Sequence, residues 1–249
     1  MLQTIDDSRF RKITPGIETI PHQLSLPRHR HLRGYATVVL AGTFMESGYN
    51  GRIQATAGDV LIHSDLDCHG NRIVSAGVKL IRLDWEDHSA IGGLYHLDNV
   101  DELASRAEKD IIETTHLLRR ALCERRRPSR GQRNDWPDML LAEMANDAST
   151  EIGVWAELNG LARETVSRGF AAAYGIAPSV LRAELRARSA WLRITRGSED
   201  LSRIAADTGF ADQAHMTRWI RRITGAPPAV WRRNRHFIVR SLGSRCSRA

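Results

Sequence analysis

Cysteine is nearly absent from this chain. There are three in 249 residues, Cys68, Cys123 and Cys246, widely spaced and without a CxxC pair. That excludes a disulfide framework and a zinc finger, and it fits a reducing compartment. Aromatic residues make up only 6%, so any core must rest mainly on aliphatic side chains. Long apolar runs are missing as well. The longest lies around residues 36–41, far below the ~20 residues of a membrane span. Residues 1–7, Met-Leu-Gln-Thr-Ile-Asp-Asp, lack the basic-then-apolar order of a signal peptide. The expectation is a soluble, cytoplasmic protein with no membrane partner.

Acidic charge is scarce in one half only. Residues 1–122 hold 14 Lys/Arg against 16 Asp/Glu, whereas residues 123–249 hold 22 against 13. The first half is therefore net −2 and the second net +9. An Arg-rich composition spread evenly would not give that split. Duplex DNA carries about one negative charge per ~1.7 Å of axis, so the second half has an electrostatic partner.

From about residue 19 to residue 85 the pattern is short and strand-like. Residues 35–40, 60–63, 72–74 and 78–83 are β-branched or alternating, punctuated by Gly42, Asn50-Gly51, Gly58, Gly70 and Gly77. Asn50-Gly51 is expected to be the centre of a tight hairpin turn. From Asn99 the period changes to three and four residues, predicting one or two helices up to about Leu122. The run 124–133 has no apolar residue and is basic, a connector that either is simply solvated or touches phosphate. Beyond Pro137 every segment is helical in period: 139–146, a helix capped by Thr150, then 163–174, 179–195, 201–208 and 213–224. Asp200 and Asp212 stand at the N-cap positions of the last two. Gly225 and Pro227-Pro228 stop the series. The domain expectation is a sensor barrel at 1–98, a helical dimerisation or packing segment at 99–123, a linker at 124–137, an all-helical domain at 138–236 and a basic tail at 237–249.

Two segments about fifty residues apart repeat one layout. Residues 201–222 read Leu-Ser-Arg-Ile-Ala-Ala-Asp-Thr-Gly-Phe-Ala-Asp-Gln-Ala-His-Met-Thr-Arg-Trp-Ile-Arg-Arg, and residues 155–170 are a fainter copy. Each is a short amphipathic helix, a Gly-containing turn and a second helix with polar residues along one face, the helix-turn-helix layout. Leu201, Ile204, Ala205, Met216, Trp219, Ile220 and Ile223 are spaced to form the core of the second copy, and Gly209 supplies its left-handed turn residue. The candidate DNA-facing residues are Arg163, Glu164, Ser167 and Arg168 in the first copy. In the second they are Asp212, Gln213, His215, Thr217, Arg218 and Arg221. Gln can grip adenine, Arg guanine, and Thr or His a base or phosphate.

Ile204-Ala205-x3-Gly209-Phe210-x-Asp212-Gln213-x5-Arg218, with Gly225-x-Pro227-Pro228 and Trp231-Arg232-Arg233, resembles the AraC/XylS-type regulators. Ala156, Leu158, Arg168, Phe170, Gly175, Arg186 and Ala190 fall where that family's first unit and linker helix would place them. The resemblance covers about residues 150–233. It implies a sequence-specific transcriptional regulator, an activator, bound to double-stranded DNA through two units joined by the helix at 179–195. It also implies a homodimer and contact with RNA polymerase. The chain departs from the family at Ala162, where a capping Ser is usual, at Gly169, where a large apolar residue is usual, and at Ala214 and Met216.

The N-terminal half resembles a cupin barrel: Pro27-Arg-His29-Arg-His31-x10-Gly42, then Gly58-Asp59-x3-His63-x5-His69-x-Asn71. The fold class expected is α+β multidomain, a cupin-like barrel with helices followed by a double helix-turn-helix. In metal-binding cupins a His-x-His pair, a Glu and a later His converge on one cation. Here the Glu after His31 is absent and the next acid is Glu46. The expectation is therefore no metal, no cofactor and no enzyme activity, with a small-molecule effector in a pocket lined by His29, His31, Tyr35, His63 and His69. The alternative from another class is a metal-dependent cupin enzyme carrying a DNA-binding domain.

Overall fold

The structure is a computed structural model that describes residues 9–22, 24–85, 92–123 and 135–234. The expected basic tail at 237–249, Cys246 and all but residues 135–137 of the expected linker lie outside the described residues. Two compact units divide the chain. One comprises Phe10–Asp138 with Ala173–Gly175, and the other Met139–Ala172 with the chain from Ile176 onward.

Among the described residues the first unit holds nine strands: β1 (Gly16–Pro21), β2 (Ser25–Arg30), β3 (Tyr35–Ala41), β4 (Thr43–Gly48), β5 (Gly51–Thr56), β6 (Asp59–His63), β7 (Cys68–Ile73), β8 (Gly77–Asp84) and β9 (Gly93–His96). They form two antiparallel sheets, ordered β1-β8-β3-β6-β9 and β2-β7-β4-β5. Alternation along each strand sends one face inward. Ile20, Val39, Phe44, Ile53, Leu61, Ile73, Leu80 and Leu94, drawn from both sheets, make one buried cluster. Pro27 is tolerated in β2 because that strand lies at a sheet edge, where a missing N–H costs no ladder bond.

The larger sheet buries its other face too. Ala36, Val38, Val60, Ile62, Ile81 and Leu83 pack with Leu103 of α1 (Asp101–Ala107) and with Leu118 and Leu122 of α2 (Ile111–Cys123). The helical segment expected after Asn99 thus covers the chain's own sheet, which is why β3 and β8 are apolar on both faces.

The hairpin expected at Asn50-Gly51 exists, but its turn sits one residue earlier. Gly48 pairs with Gly51 across β4 and β5, leaving Tyr49 and Asn50 in the loop. Only Gly51 takes a positive φ, +96°, so Asn50 does not share the left-handed role expected of it.

The second unit is helical, from the body of α3 (Trp136–Asn146) through α4 (Ile152–Leu158), α5 (Arg163–Tyr174), α6 (Pro178–Arg196), α7 (Leu201–Asp207), α8 (Gln213–Thr224) and α9 (Pro228–Arg233). Thr150 does not cap α4. Its hydroxyl donates to the carbonyls of Glu143 and Asp147 and so closes the end of α3, while Glu151 occupies the N-cap without a side-chain bond. Asp200 stands at the N-cap of α7 but makes no side-chain cap bond, whereas Asp212 accepts the His215 amide at 2.6 Å and caps α8.

Candidate functional site: a doubled helix-turn-helix and a buried histidine cluster

The two helix-turn-helix units are built by the same local contacts. In the first, Gly160 takes φ +67° and the amide of Leu161 donates to the Ala156 carbonyl at 2.9 Å. In the second, Gly209 takes φ +77° and the amide of Phe210 donates to the Ala205 carbonyl at 2.9 Å. Ala156 and Ala205 are both fully enclosed, because the second helix crosses the first at that point and leaves no room for a larger side chain. Up to the turn the copies are offset by 49 residues. After it the offset is 50, since Ala211 has no counterpart. Val166 then matches Met216 and Phe170 matches Ile220, all four buried.

With that register the exposed faces align. Arg163 corresponds to Gln213, Ser167 to Thr217 and Arg168 to Arg218, all exposed or half-exposed. Helical spacing i, i+4, i+5 keeps each set on one stripe. Glu164 and Arg221 are exposed as well. Two of the expected reading residues are committed elsewhere. Asp212 spends a carboxylate oxygen on the α8 cap. His215 accepts from Trp219 Nε1 at 3.1 Å and meets the Phe210 ring edge-on at 5.2 Å. Both therefore also support the helix. Trp219 and Leu201, expected in the core, are only half-buried. Trp219 instead lies under the Arg222 guanidinium, 4.8 Å from its ring centre.

The joint between the units is α6. Its Leu181, Ala187, Ala190, Trp191 and Ile194 are buried, and Trp191 meets Trp231 of α9 edge-on at 5.3 Å. Arg186 reaches out from α6 to the carbonyl of Gly209, at 2.8 Å, and to that of Ala148. One guanidinium therefore ties the turn of the second unit to the chain entering the first. Arg182 does the same for the Thr150 carbonyl.

In the β unit, all five residues expected to line a pocket come together. Ring centres lie 4.9 Å apart for His29–His31, 4.7 Å for His29–His69, 4.7 Å for His31–Tyr35, 4.2 Å for Tyr35–His63 and 4.7 Å for His63–His69. His31, Tyr35, His63 and His69 are buried and His29 is half-buried. His29 faces His69 across the β2–β7 ladder.

The carboxylate that seemed missing is present. Glu46, inward-facing on β4, brings Oε2 within 3.7 Å of His63 Nε2 and 3.9 Å of His69 Nε2. The expectation that no carboxylate completes the cluster is therefore corrected. Sequence distance from His31 misled, because β4 lies beside β7 and Gly48 pairs with His69. Asp67 was also missed. Its Oδ2 accepts from the Nδ1 atoms of both His63 (2.8 Å) and His69 (3.1 Å). It is carried by a tight turn in which Leu66 takes φ +57°, a conformation rare for a non-glycine residue. The Asp-x-Asp preceding Cys68 was the available clue.

These contacts fix the protons. His29 Nδ1 donates to the Pro27 carbonyl at 2.8 Å and His31 Nδ1 to the Arg11 carbonyl at 2.7 Å. Both partners can only accept, so each Nδ1 bears the hydrogen and each Nε2 keeps its lone pair. Burial, reinforced by the neighbouring imidazoles, lowers His31 to about 2. Burial likewise lowers His29 to about 4, so both are neutral at pH 7. Burial raises Glu46 to about 7, with Asp67 adding to the push. Burial alone would raise Asp67 too, but the two imidazole hydrogen bonds outweigh it and hold it well below the usual carboxylate range. Two donor sets can each surround a cation, His29–His31–His69 and Glu46–His63–His69, with ligand atoms within 4.8 Å of one another. Beside Tyr35 and Glu46 a cavity of about 20 Å³ is lined mainly by Ile20, Leu24, Leu26, Phe44, Ile73 and Leu80.

The repeated unit defines a class. Residues 155–234 match the family described as a helix-turn-helix domain, and the likeness to AraC/XylS-type regulators read from the sequence is borne out over this segment. Over this segment the chain carries a helix-turn-helix domain. Among solved structures, an AraC-type regulator from Chromobacterium violaceum is 22% identical, with 39% of this chain and 88% of that one covered and a TM-score of 0.36. The DNA-binding domain of AdpA, in complex with a target DNA, is 19% identical, covering 45% and 100%, TM-score 0.40. ToxT from Vibrio cholerae strain SCE256, bound to an unsaturated fatty acid, is 10% identical, covering 91% and 94%, TM-score 0.38. No curated protein sequence matches the chain. Among the described residues no helix is long and apolar enough to cross a membrane.

Proposed function

We propose that the chain is a sequence-specific, cytoplasmic transcriptional regulator, an activator, whose β unit takes an effector that alters its hold on double-stranded DNA. One observation carries the reading: two helix-turn-helix units in register present Arg163, Ser167 and Arg168, and Gln213, Thr217 and Arg218, at matching positions. A single exposed Arg is a phosphate contact more often than a base reader. A repeated polar stripe of the same three positions on two such helices is what reading two successive grooves requires. The net charge of +9 over residues 123–249 supplies attraction of the right sign.

The effector's seat in this reading is the cluster His29, His31, Tyr35, His63 and His69, in a β unit resembling a cupin barrel. Occupancy shifts the population competent for DNA. Homodimerisation uses the outer side of the segment at 99–123, where Ile112 is 52% exposed, and RNA polymerase is a partner at the promoter. The protein is not an enzyme in this reading. The metal-dependent enzyme remains a second reading because Glu46 supplies the carboxylate on which that chemistry depends.

Selection from a random duplex pool at near-physiological salt tests the proposal. The expected result is an enriched site with two short elements about one helical turn apart. Enrichment of no sequence, with binding that merely weakens as salt rises, would overturn the reading.

A further inference from the structure

We infer that the β unit binds one divalent first-row transition cation through Glu46, His63 and His69, oriented by Asp67. Two observations converge on it. Glu46 Oε2 faces His63 Nε2 at 3.7 Å and His69 Nε2 at 3.9 Å, distances too long for hydrogen bonds. Ligand bonds of ~2.0–2.1 Å in a tetrahedral shell place donor atoms about 3.4 Å apart. The two Glu46–imidazole distances lie within about half an ångström of that span, and all three donors lie within 4.8 Å of one another.

Asp67 is the second observation. It holds the Nδ1–H of both imidazoles, which fixes their tautomers and aims their Nε2 lone pairs away from it. His31 Nε2, buried without a partner among the described residues, belongs to the other donor set, and its ring stacks on His69 at 5.2 Å. The neighbourhood carries much acceptor capacity, of which the Asn71 side-chain amide, donating to Glu46 Oε2 at 3.2 Å, satisfies one part. Tyr35 hydroxyl satisfies another part by donating to His69 Nε2 at 3.1 Å, a bond the cation must displace.

The rival triad, His29–His31–His69, shares one ligand but is the weaker choice. Three neutral imidazoles leave a buried dication uncompensated, at high cost in a low-dielectric interior. The Glu46 set instead brings one carboxylate among the donors and a second, Asp67, directly behind the two imidazoles. Two imidazoles and one carboxylate suit zinc or ferrous iron. The cavity beside Glu46 is lined by neither His63 nor His69 and is too tight for a large organic molecule. That this cation is the effector rests on the regulator reading above; the site itself does not.

The test is titration of chelator-treated, full-length protein with Co(II), followed by visible d–d absorption and by competition with Zn(II). One Co(II) per chain is expected. E46Q and H63N should weaken binding at least 100-fold, D67N 10- to 100-fold, and H29N and H31N by less than 3-fold. Melting each metal-free variant by circular dichroism identifies any that fail to fold; E46Q, which keeps the shape of the side chain, then decides. Absence of stoichiometric cobalt, or loss in H29N and H31N with E46Q unaffected, overturns the site. Operator affinity measured with and without metal separates the two claims. If cobalt binds as described but affinity does not change, the effector role falls while the site stands.

Discussion

The first and second helix-turn-helix units share a skeleton and differ in how firmly it is held. Both set a glycine at positive φ after a short helix, and both return the next amide to an enclosed alanine. The second adds Ala211, and with it room for Asp212 to cap α8. The corresponding position in the first unit is Ala162, which has no side chain to offer. The glycines differ too. A Cβ on Gly160 would meet nothing within 4 Å, whereas on Gly209 it would lie 3.1 Å from the Ala148 carbonyl oxygen and from Arg186 Nε. The second unit is thus clasped at its turn by α6. The first relies on Val166 and Phe170 and on Arg163 lying against Glu157, an exposed pair at 3.3 Å worth little. Two units can therefore have the same geometry while the second is braced at its turn and helix start and the first is not.

Breaking the turns should give the largest contrast. Gly209→Ala is expected to cost about 2–3 kcal/mol, from the left-handed backbone together with crowding at Arg186, and Gly160→Ala only about 1 kcal/mol. Urea denaturation of the two variants checks this, and equal costs would remove the distinction at the turn.

On DNA, Arg218→Ala should weaken specific binding by about 1–3 kcal/mol if it reads a base, and Arg168→Ala by less. Band-shift titrations on the selected site and on random duplex separate the cases. An equal loss on both duplexes would make these residues phosphate contacts. Removing the cap by Asp212→Ala should destabilise by about 1 kcal/mol without touching the core, read as a lower melting temperature. The smallest effect expected is a gain: Ala162→Asp should stabilise the first unit by about 0.5–1 kcal/mol through a new cap and a favourable charge at the helix start. If Ala162→Asp instead weakens DNA binding, the uncapped start of α5 is there to let DNA approach.

The β unit and the helical unit were not equally legible. The helical unit is written in short-range code: caps, left-handed glycines and apolar residues three and four apart act within one turn of chain. Its helix bounds, its repeat and most of its exposed stripe could be read directly, with two corrections: Thr150 closes α3 instead of opening α4, and Pro227-Pro228 does not end the series but starts α9, because a proline is tolerated in the first turn of a helix. What could not be read there were side chains with two possible uses. Asp212 and His215 look only like DNA-facing groups until the cap and the Trp219 bond are seen.

In the β unit the five aromatic and imidazole residues could be named, but not Glu46 or Asp67. Glu46 was in view as the next acid and set aside as too far from His31. Antiparallel register, and not distance along the chain, decides who faces whom, and a slip of one residue would turn Glu46 to the opposite face.

The sequence alone therefore determined a basic, doubled helix-turn-helix following a strand-rich half with several histidines. Those features come from local backbone preference and charge, which each short segment carries by itself. Only the tertiary structure decided that β4, the end of β6, the turn at Asp67 and β7 deliver one carboxylate, two imidazoles and the acid that orients them to one buried point. It likewise decided that Arg186 ties the two reading units together. Such groups meet through pairing and packing between distant segments, and no local pattern encodes the partner.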